Sequence, residues 1–187
     1  MQTKKVRKLP VMAGGKLVGV VSQSDIDRAS PSAATSFSAG EIAYLYSKLK
    51  VSKVMTRNPV TISPSALLEE AAIIMRNRRI EMLPVLDGDQ LVGVITESDI
   101  LDAFIELNGA REKGTRLVIE ADDRPGVMAR LATITGDFQA NITHIAVYRG
   151  NLERSLVILG VNTVNTEEME RRIAEEGFTL KYRLRNG

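Results

Sequence analysis

Leu83-Pro-Val-Leu-Asp-Gly-Asp-Gln-Leu-Val-Gly-Val-Ile-Thr-Glu-Ser-Asp-Ile100 lies over a second stretch of the same chain, Leu9-Pro-Val-Met-Ala-Gly-Gly-Lys-Leu-Val-Gly-Val-Val-Ser-Gln-Ser-Asp-Ile26, at an offset of 74 residues. Extended to Ala29 and Ala103, 12 of 21 positions are identical, so the stretch is an internal repeat and each copy one structural unit. In the second copy, Leu83–Leu86 is a short apolar strand and Asp87-Gly88-Asp89 a turn. Leu91–Thr96 is the return strand, and a helix runs from about Glu97 to Leu107.

Ahead of the second copy, Val51-Ser-Lys-Val-Met-Thr-Arg-Asn-Pro-Val-Thr-Ile-Ser-Pro64 reads as an extended linker strand. Ser63 is placed to cap a helix with Pro64 at its first position. Glu69 and Glu70 fall early in that helix and Arg76, Arg78 and Arg79 late, matching the helix dipole. Leu67, Leu68, Ala71, Ala72, Ile73, Ile74 and Met75 are apolar nearly all round, which predicts deep burial. Under the same offset Met1 lies over Met75. The first copy is therefore expected to lack its linker strand and most of that helix, about two dozen residues, as if the start had been assigned at an internal Met or the chain shortened.

Between the copies, Ala29-Ser-Pro-Ser-Ala-Ala-Thr-Ser-Phe-Ser38 is a small-residue loop. It leads into a helix, Glu41–Lys50, with Ile42, Leu45 and Leu49 on one face. From Thr115 the character changes to strand, helix, strand, strand, helix, strand. Arg116–Ala121 is apolar-rich, and Asp122-Asp-Arg-Pro-Gly126 is turn chemistry opening a helix on which Val127, Leu131, Ile134 and Phe138 recur. Ile142–Tyr148 and Glu153–Val161 form a hairpin around Arg149-Gly150-Asn151. Asn165 is placed to cap the last helix, with Glu168 in capping-box position and Gly177 ending it. In the final strand Phe178, Leu180, Tyr182 and Leu184 alternate with Thr179, Lys181, Arg183 and Arg185, as a half-buried strand would. The order βαββαβ is ferredoxin-like and the fold class α+β. The chain divides into a partial first module (1–29), a linker and helix (30–50), a complete second module (51–108) and a third unit (114–187).

Composition narrows the chemistry. The 187 residues hold 25 Lys+Arg against 23 Asp+Glu, one His, no Cys and no Trp. Without Cys and with His144 alone, zinc ribbons, thiol catalysis and disulfide frameworks are excluded and no metal site is expected. A net charge of +2, near +1 on either side of residue 110, gives no basic stripe for nucleic acid. No run approaches the roughly 18 apolar residues that span a membrane, and the basic start is followed by no signal-like apolar stretch, so a cytoplasmic location is expected. Lys4, Lys5, Arg7 and Lys8, like Arg76, Arg78 and Arg79, could meet phosphate but read as solvated helix ends. His144 reads as packing or interface, and the adjacent carboxylates Asp122 and Asp123 diverge too far for acid–base work. No catalytic constellation stands out, and the chain reads as a non-enzyme.

In the repeat, Thr96 precedes Asp99 by three residues on a strand-to-helix turn, as Ser22 precedes Asp25. Amides at a helix start with a hydroxyl beside them receive phosphate, and a carboxylate accepts from ribose hydroxyls. The same spacing also serves plain helix capping. The repeat, preceded by Val54-Met-Thr-Arg-Asn-Pro-Val-Thr-Ile62, resembles a tandem pair of CBS modules, each a βαββα unit. The resemblance implies an adenosine nucleotide as regulatory ligand and no other cofactor. It places the ligand at Thr96, Ser98 and Asp99, with Val60, Thr61 and Ile62 flanking the adenine and Met82 and Pro84 lining the cleft. Ser22, Ser24 and Asp25 match the paired site. Asp122-Asp-Arg-Pro-Gly-Val127, followed by Ala140-Asn-Ile142, resembles the ACT domain, an amino-acid sensor. It implies an amino acid held by Asp123, Arg124, Pro125, Gly126, Val127, Asn141 and Ile142.

The two module types, joined by the Ala29–Ser38 loop and Glu41-Ile-Ala-Tyr-Leu45, are similar in combination to the acetoin-utilisation accessory proteins. This implies a homodimeric regulator of an unidentified metabolic enzyme in acetoin or short-chain carbon metabolism. The alternative is a ligand-free scaffold whose modules only dimerise and hold a partner.

Overall fold

The computed structural model describes residues 1, 6–29, 38–149 and 154–186. It divides into two compact units, Met1–Ile100 and Leu101–Gly187. The loop expected at 30–37, the hairpin turn at Gly150-Asn151, and Lys4 and Lys5 lie outside the described residues.

The first unit runs β1 (Lys8–Ala13), β2 (Lys16–Ser22), α1 (Gln23–Ala29), α2 (Ala39–Lys48), α3 (Val51–Val54), β3 (Thr56–Arg57), α4 (Leu68–Arg78), β4 (Met82–Asp87), β5 (Gln90–Thr96) and α5 (Glu97–Leu107), which continues beyond Ile100. Both expected hairpins form, β1 on β2 and β4 on β5. Each carries a register shift at the same repeat position, between Val11 and Met12 and between Val85 and Leu86. The shared pattern thus yields the same irregularity twice. Gly88, at φ +57°, makes the second turn because a left-handed residue is cheap only without a Cβ. The helix between the copies, α2, starts at a full capping box: Glu41 N–H donates to Ser38 Oγ at 3.4 Å, and Ser38 N–H to Glu41 Oε2 at 2.8 Å.

Three local expectations are corrected here. Val51–Val54 is a helical turn rather than extended chain, and only Thr56 and Arg57 then pair as β3, with Val20 and Gly19 of β2. A Cβ on Gly19 would stand 2.6 Å from Met55 Sδ and 2.8 Å from the Thr56 carbonyl, so this approach requires the glycine. Ser63 does not cap α4, which starts at Leu68 with no side-chain cap. The Ser63 hydroxyl is taken by a local turn instead, accepting from Ser65 N–H at 3.2 Å while Ala66 N–H bonds its carbonyl at 3.1 Å. Finally, α4 buries one face, not its whole circumference. Ala71 and Met75 pack against Leu83, with Ile62, Ile74, Ile80, Ile95 and Ile100 around them, while Ile73 stays 57% exposed.

The second unit holds β6 (Gly114–Asp122), α6 (Val127–Asp137), β7 (Ile142–Arg149), β8 (Arg154–Val161), α7 (Glu167–Glu175) and β9 (Thr179–Asn186). Its antiparallel sheet has the order β7-β8-β6-β9, the ferredoxin-like arrangement the element order predicts. Leu117, Ile119, Val157, Leu159 and Val161 face Leu131, Ile134, Met169 and Ile173 across a fully buried core. The cap position of α7 is Thr166, not Asn165; its hydroxyl donates to Glu170 at 2.6 Å rather than receiving a helix amide. Gly177, at φ +85°, ends that helix as expected.

The last strand departs from simple alternation. Val118 pairs with Tyr182 but Ile119 with Leu180, so Lys181 is an extra residue in a β-bulge. Because facing side chains alternate along a strand, one extra residue exchanges the two faces from Tyr182 onward. Leu180 joins the core, whereas Tyr182 is 59% exposed on the sheet's open face. Arg183 and Arg185 turn toward α7, where Arg183 meets Glu170 at 3.1 Å and Arg185 bonds Glu167. They are not the outward polar face that the sequence pattern suggests.

His144 is packing, as its isolation implied. Its ring lies over Gly160, its partner on β8, and against Gly109, and a Cβ on either glycine would overlap the imidazole. Nδ1 is 3.0 Å from Thr143 Oγ1, and Nε2 is buried without a hydrogen bond. The charged groups facing it are Arg116 from β6 and Glu112 from the preceding segment. Burial, reinforced by Arg116 and opposed by Glu112, holds its pKa below the ordinary histidine value. Below about pH 6.5 the unfolded chain takes a proton that the folded ring resists, so stability falls as pH drops toward the lowered native value. Equilibrium unfolding at pH 7.5 and 5.5 is expected to show this loss in the native chain and a smaller one in His144→Gln; equal losses would show that His144 contributes nothing to it.

Candidate functional site

The turn between β5 and α5 is built by reciprocal capping. Asp99 Oδ2 accepts from Thr96 N–H at 2.7 Å and from its hydroxyl at 2.6 Å, and Asp99 N–H returns a bond to Thr96 Oγ1 at 3.3 Å. Both carboxylate bonds fall on Oδ2, and Asp99 is exposed. Beside this turn opens a cleft of about 560 Å³ lined by Val6, Arg7, Lys8, Glu81, Met82, Val94, Thr96, Glu97 and Ser98. Lys8 is shared with Glu81 at 3.0 Å, whereas Arg7 forms no ion pair among the described residues. The helix N-terminus, two hydroxyls and Arg7 suit a phosphorylated ligand, in a lining where Glu81 balances Lys8 and Glu97 adds a second carboxylate.

The structure therefore gathers Met82, Thr96 and Ser98 in the cleft lining, with Asp99 bonded to Thr96 beside it but not itself part of the lining. Val60, Thr61, Ile62 and Pro84 meet elsewhere, along the edge of β4 opposite β5. There Ile62 N–H donates to the Pro84 carbonyl at 3.0 Å, Leu86 N–H donates to the Ile62 carbonyl at 2.9 Å, and none of the four lines the cleft. Ser22, Ser24 and Asp25 form a second turn, between β2 and α1, also outside the cleft lining. Asp25 Oδ2 accepts from Ser22 N–H at 2.8 Å and Ser22 Oγ at 2.6 Å; Oδ1 accepts from Arg28 at 2.6 Å, and Ser24 Oγ lies 2.8 Å from Ser22 Oγ. The Ser22 hydroxyl foremost, then the Ser22 amide and Arg28, holds the Asp25 carboxyl below its usual range against the opposing effect of burial.

In the second unit, Asp123, Arg124, Pro125, Gly126 and Val127 surround a cavity of about 190 Å³ between the loop and the ends of β7 and β8. Gly126, at φ +91°, allows the chain to turn into α6. Asp123 is held by Arg149 at 2.8 Å, and Met128, Val147, Ser155 and Val157 complete the walls. Asn141 and Ile142 are not part of it. Asn141 N–H bonds Asn162 Oδ1 at 2.8 Å and Ile142 pairs with Val161, at the end of the sheet away from the Asp122–Arg154 pair that leads into the loop.

Two groups escaped sequence reasoning. Arg7 and Lys8 were weighed as phosphate contacts and read as solvated helix ends, yet Lys8 opens β1 and both reach the cleft. Arg149 was noticed only as a turn residue; its approach to Asp123 depends on strand pairing, for which the sequence carries no local signal.

Comparison with known proteins identifies both module types. The CBS domain family model matches residues 1–32 and 51–106, and the ACT domain model residues 115–178. A CBS domain-containing protein of Dictyostelium discoideum is 35% identical over 104 residues, 54% of this chain and 72% of that protein. Inosine-5'-monophosphate dehydrogenase of Korarchaeum cryptofilum (strain OPF8) is 29% identical over 139 residues, 74% of this chain; the chain spans 26% of that enzyme's length. Among solved structures, a protein of Vibrio cholerae provisionally assigned to acetoin utilization is 34% identical at a TM-score of 0.47, over 59% of this chain and 76% of that one. No helix among the described residues is long and apolar enough to cross a membrane.

Proposed function

The chain belongs to the CBS-domain family and carries an ACT domain behind its CBS repeats, and from that premise we propose that it is a non-catalytic, cytoplasmic sensor of an adenosine nucleotide. The observation that carries this reading is the open cleft at the Thr96 turn, where Arg7, Lys8, Thr96 and Ser98 converge. Its volume of about 560 Å³ lies within the usual range for small-ligand sites. Thr96, Ser98 and the α5 amides receive phosphate together with Arg7, Asp99 accepts from the ribose, and Met82 packs on the base. The loop cavity at Asp123–Val127 takes an amino acid, with Asn141 and Ile142 supplied by the second copy of a homodimer. Binding changes the activity of a metabolic enzyme, in acetoin or short-chain carbon metabolism by the likeness of the interdomain segment. Only a ligand that prefers one arrangement of the chain can transmit a signal.

Thermal shift of the purified chain with AMP, ADP, ATP, S-adenosylmethionine, NAD(H) and amino acids tests this. A ligand at 100 times its dissociation constant adds about 2.7 kcal/mol, enough for a clear rise in melting temperature. At least one adenosine compound is expected to produce it. Silence from every nucleotide would favour a ligand-free scaffold, a reading supported by Tyr148, Tyr182 and Leu184 exposed on the ACT sheet.

A further inference from the structure

The two repeat turns share a sequence pattern but not a hydrogen-bonding state. At the first turn the side chains satisfy one another: Ser22 is buried, its hydroxyl engages Ser24 and Asp25, and both oxygens of Asp25 are occupied, Oδ2 by Ser22 and Oδ1 by Arg28. The Asp25 side chain retains 14% of its exposure. At the second turn Asp99 is exposed with its bonds on Oδ2 alone, and Thr96 and Ser98 line the cleft. The residue 74 positions after Arg28 is Asp102, which cannot close Asp99 in the same way. It pairs instead with Arg111 at 3.7 Å.

Resting on the nucleotide reading above, we propose that the repeat sites are inequivalent. The Thr96–Asp99 turn binds one nucleotide per chain, and the Ser22–Asp25 turn is a closed structural copy in which Arg28 is an internal substitute for ligand. A ribose hydroxyl reaching Asp25 would have to displace Arg28 from a largely buried carboxylate, whereas at Asp99 it meets a free oxygen. The first repeat nonetheless contributes to the working site, because Arg7 and Lys8 line it. The two copies thus divide the work, one supplying the turn and the other the cations.

Calorimetric titration of the full chain with AMP is expected to give one equivalent per chain. Asp99→Asn should weaken binding by about tenfold or more, the scale of a lost hydrogen bond to a charged group. Arg28→Ala should leave the affinity of that single site within about twofold, as expected for a change that touches none of its groups. Two equivalents per chain, or undiminished binding in Asp99→Asn, would overturn the inequivalence while leaving the nucleotide reading intact. No AMP binding at all would fail both. Carbon NMR titration of the unliganded chain tests the closure separately: Asp25 should titrate below ordinary Asp and move upward in Arg28→Ala. An Asp25 midpoint at the ordinary value would overturn the closed copy.

Discussion

Replacing Asp99 by Ala is expected to abolish the melting-temperature response to adenosine nucleotides and to leave any amino-acid response unchanged. The carboxylate has two roles that differ in magnitude. As part of the reciprocal cap on α5 it satisfies the Thr96 amide and hydroxyl, and its loss should cost about 0.5–2 kcal/mol of stability. As acceptor for ribose it contributes a charge-assisted bond that alanine cannot supply. Deleting it should therefore lower the unliganded melting temperature slightly and remove most of the roughly 2.7 kcal/mol that saturating nucleotide adds. The amino-acid response should persist, because its cavity is built from Asp123–Val127 and the ends of β7 and β8. Loss of both responses together would show that the two sites are not separate.

Leu159→Ala should be the most destabilising simple truncation in the ACT domain, by about 2–5 kcal/mol. Leu159 has no exposed surface and sits on β8, between β7 and β6, paired with Leu117 on one side and Ile145 on the other. Its side chain faces Leu131, Ile134 and Ile173 from the two helices, so neither layer can collapse into the space without disturbing the other. The cost then includes both lost transfer energy and a persistent cavity. Denaturant unfolding should show an earlier midpoint with an unchanged slope. A loss below about 1 kcal/mol would contradict the central position of β8.

Most of the architecture was legible because it rests on short-range chemistry. A duplicated hairpin and helix, Gly88 at a left-handed turn, Gly177 at a helix end and the core spacing of Val127, Leu131 and Ile134 each act within a few residues of themselves. They determine element type, and their order determines the ferredoxin-like and repeated classes. The errors share one cause. Ser63 was read as a cap because hydroxyls cap helices, but a nearer turn claimed it. Arg183 and Arg185 were read as outward because strands alternate, but the bulge at Lys181 exchanged the faces. In both cases a competing local interaction decided between states that sequence spacing leaves nearly equal.

By itself, then, the sequence determined that this protein is a CBS repeat followed by an ACT domain, and that Thr96 and Asp99 repeat the chemistry of Ser22 and Asp25. Only the folded structure decided which polar groups each turn leaves open. Arg28 lies on Asp25, while Arg7 and Lys8 converge with Thr96 across more than 80 residues of chain. The physical reason is that side-chain types follow from sequence, but whether a charge faces solvent, a partner or a ligand depends on long-range packing. Strand pairing likewise placed Asn141 and Ile142 away from the Asp123–Val127 loop, at a distance set by the length of β7 rather than by any motif.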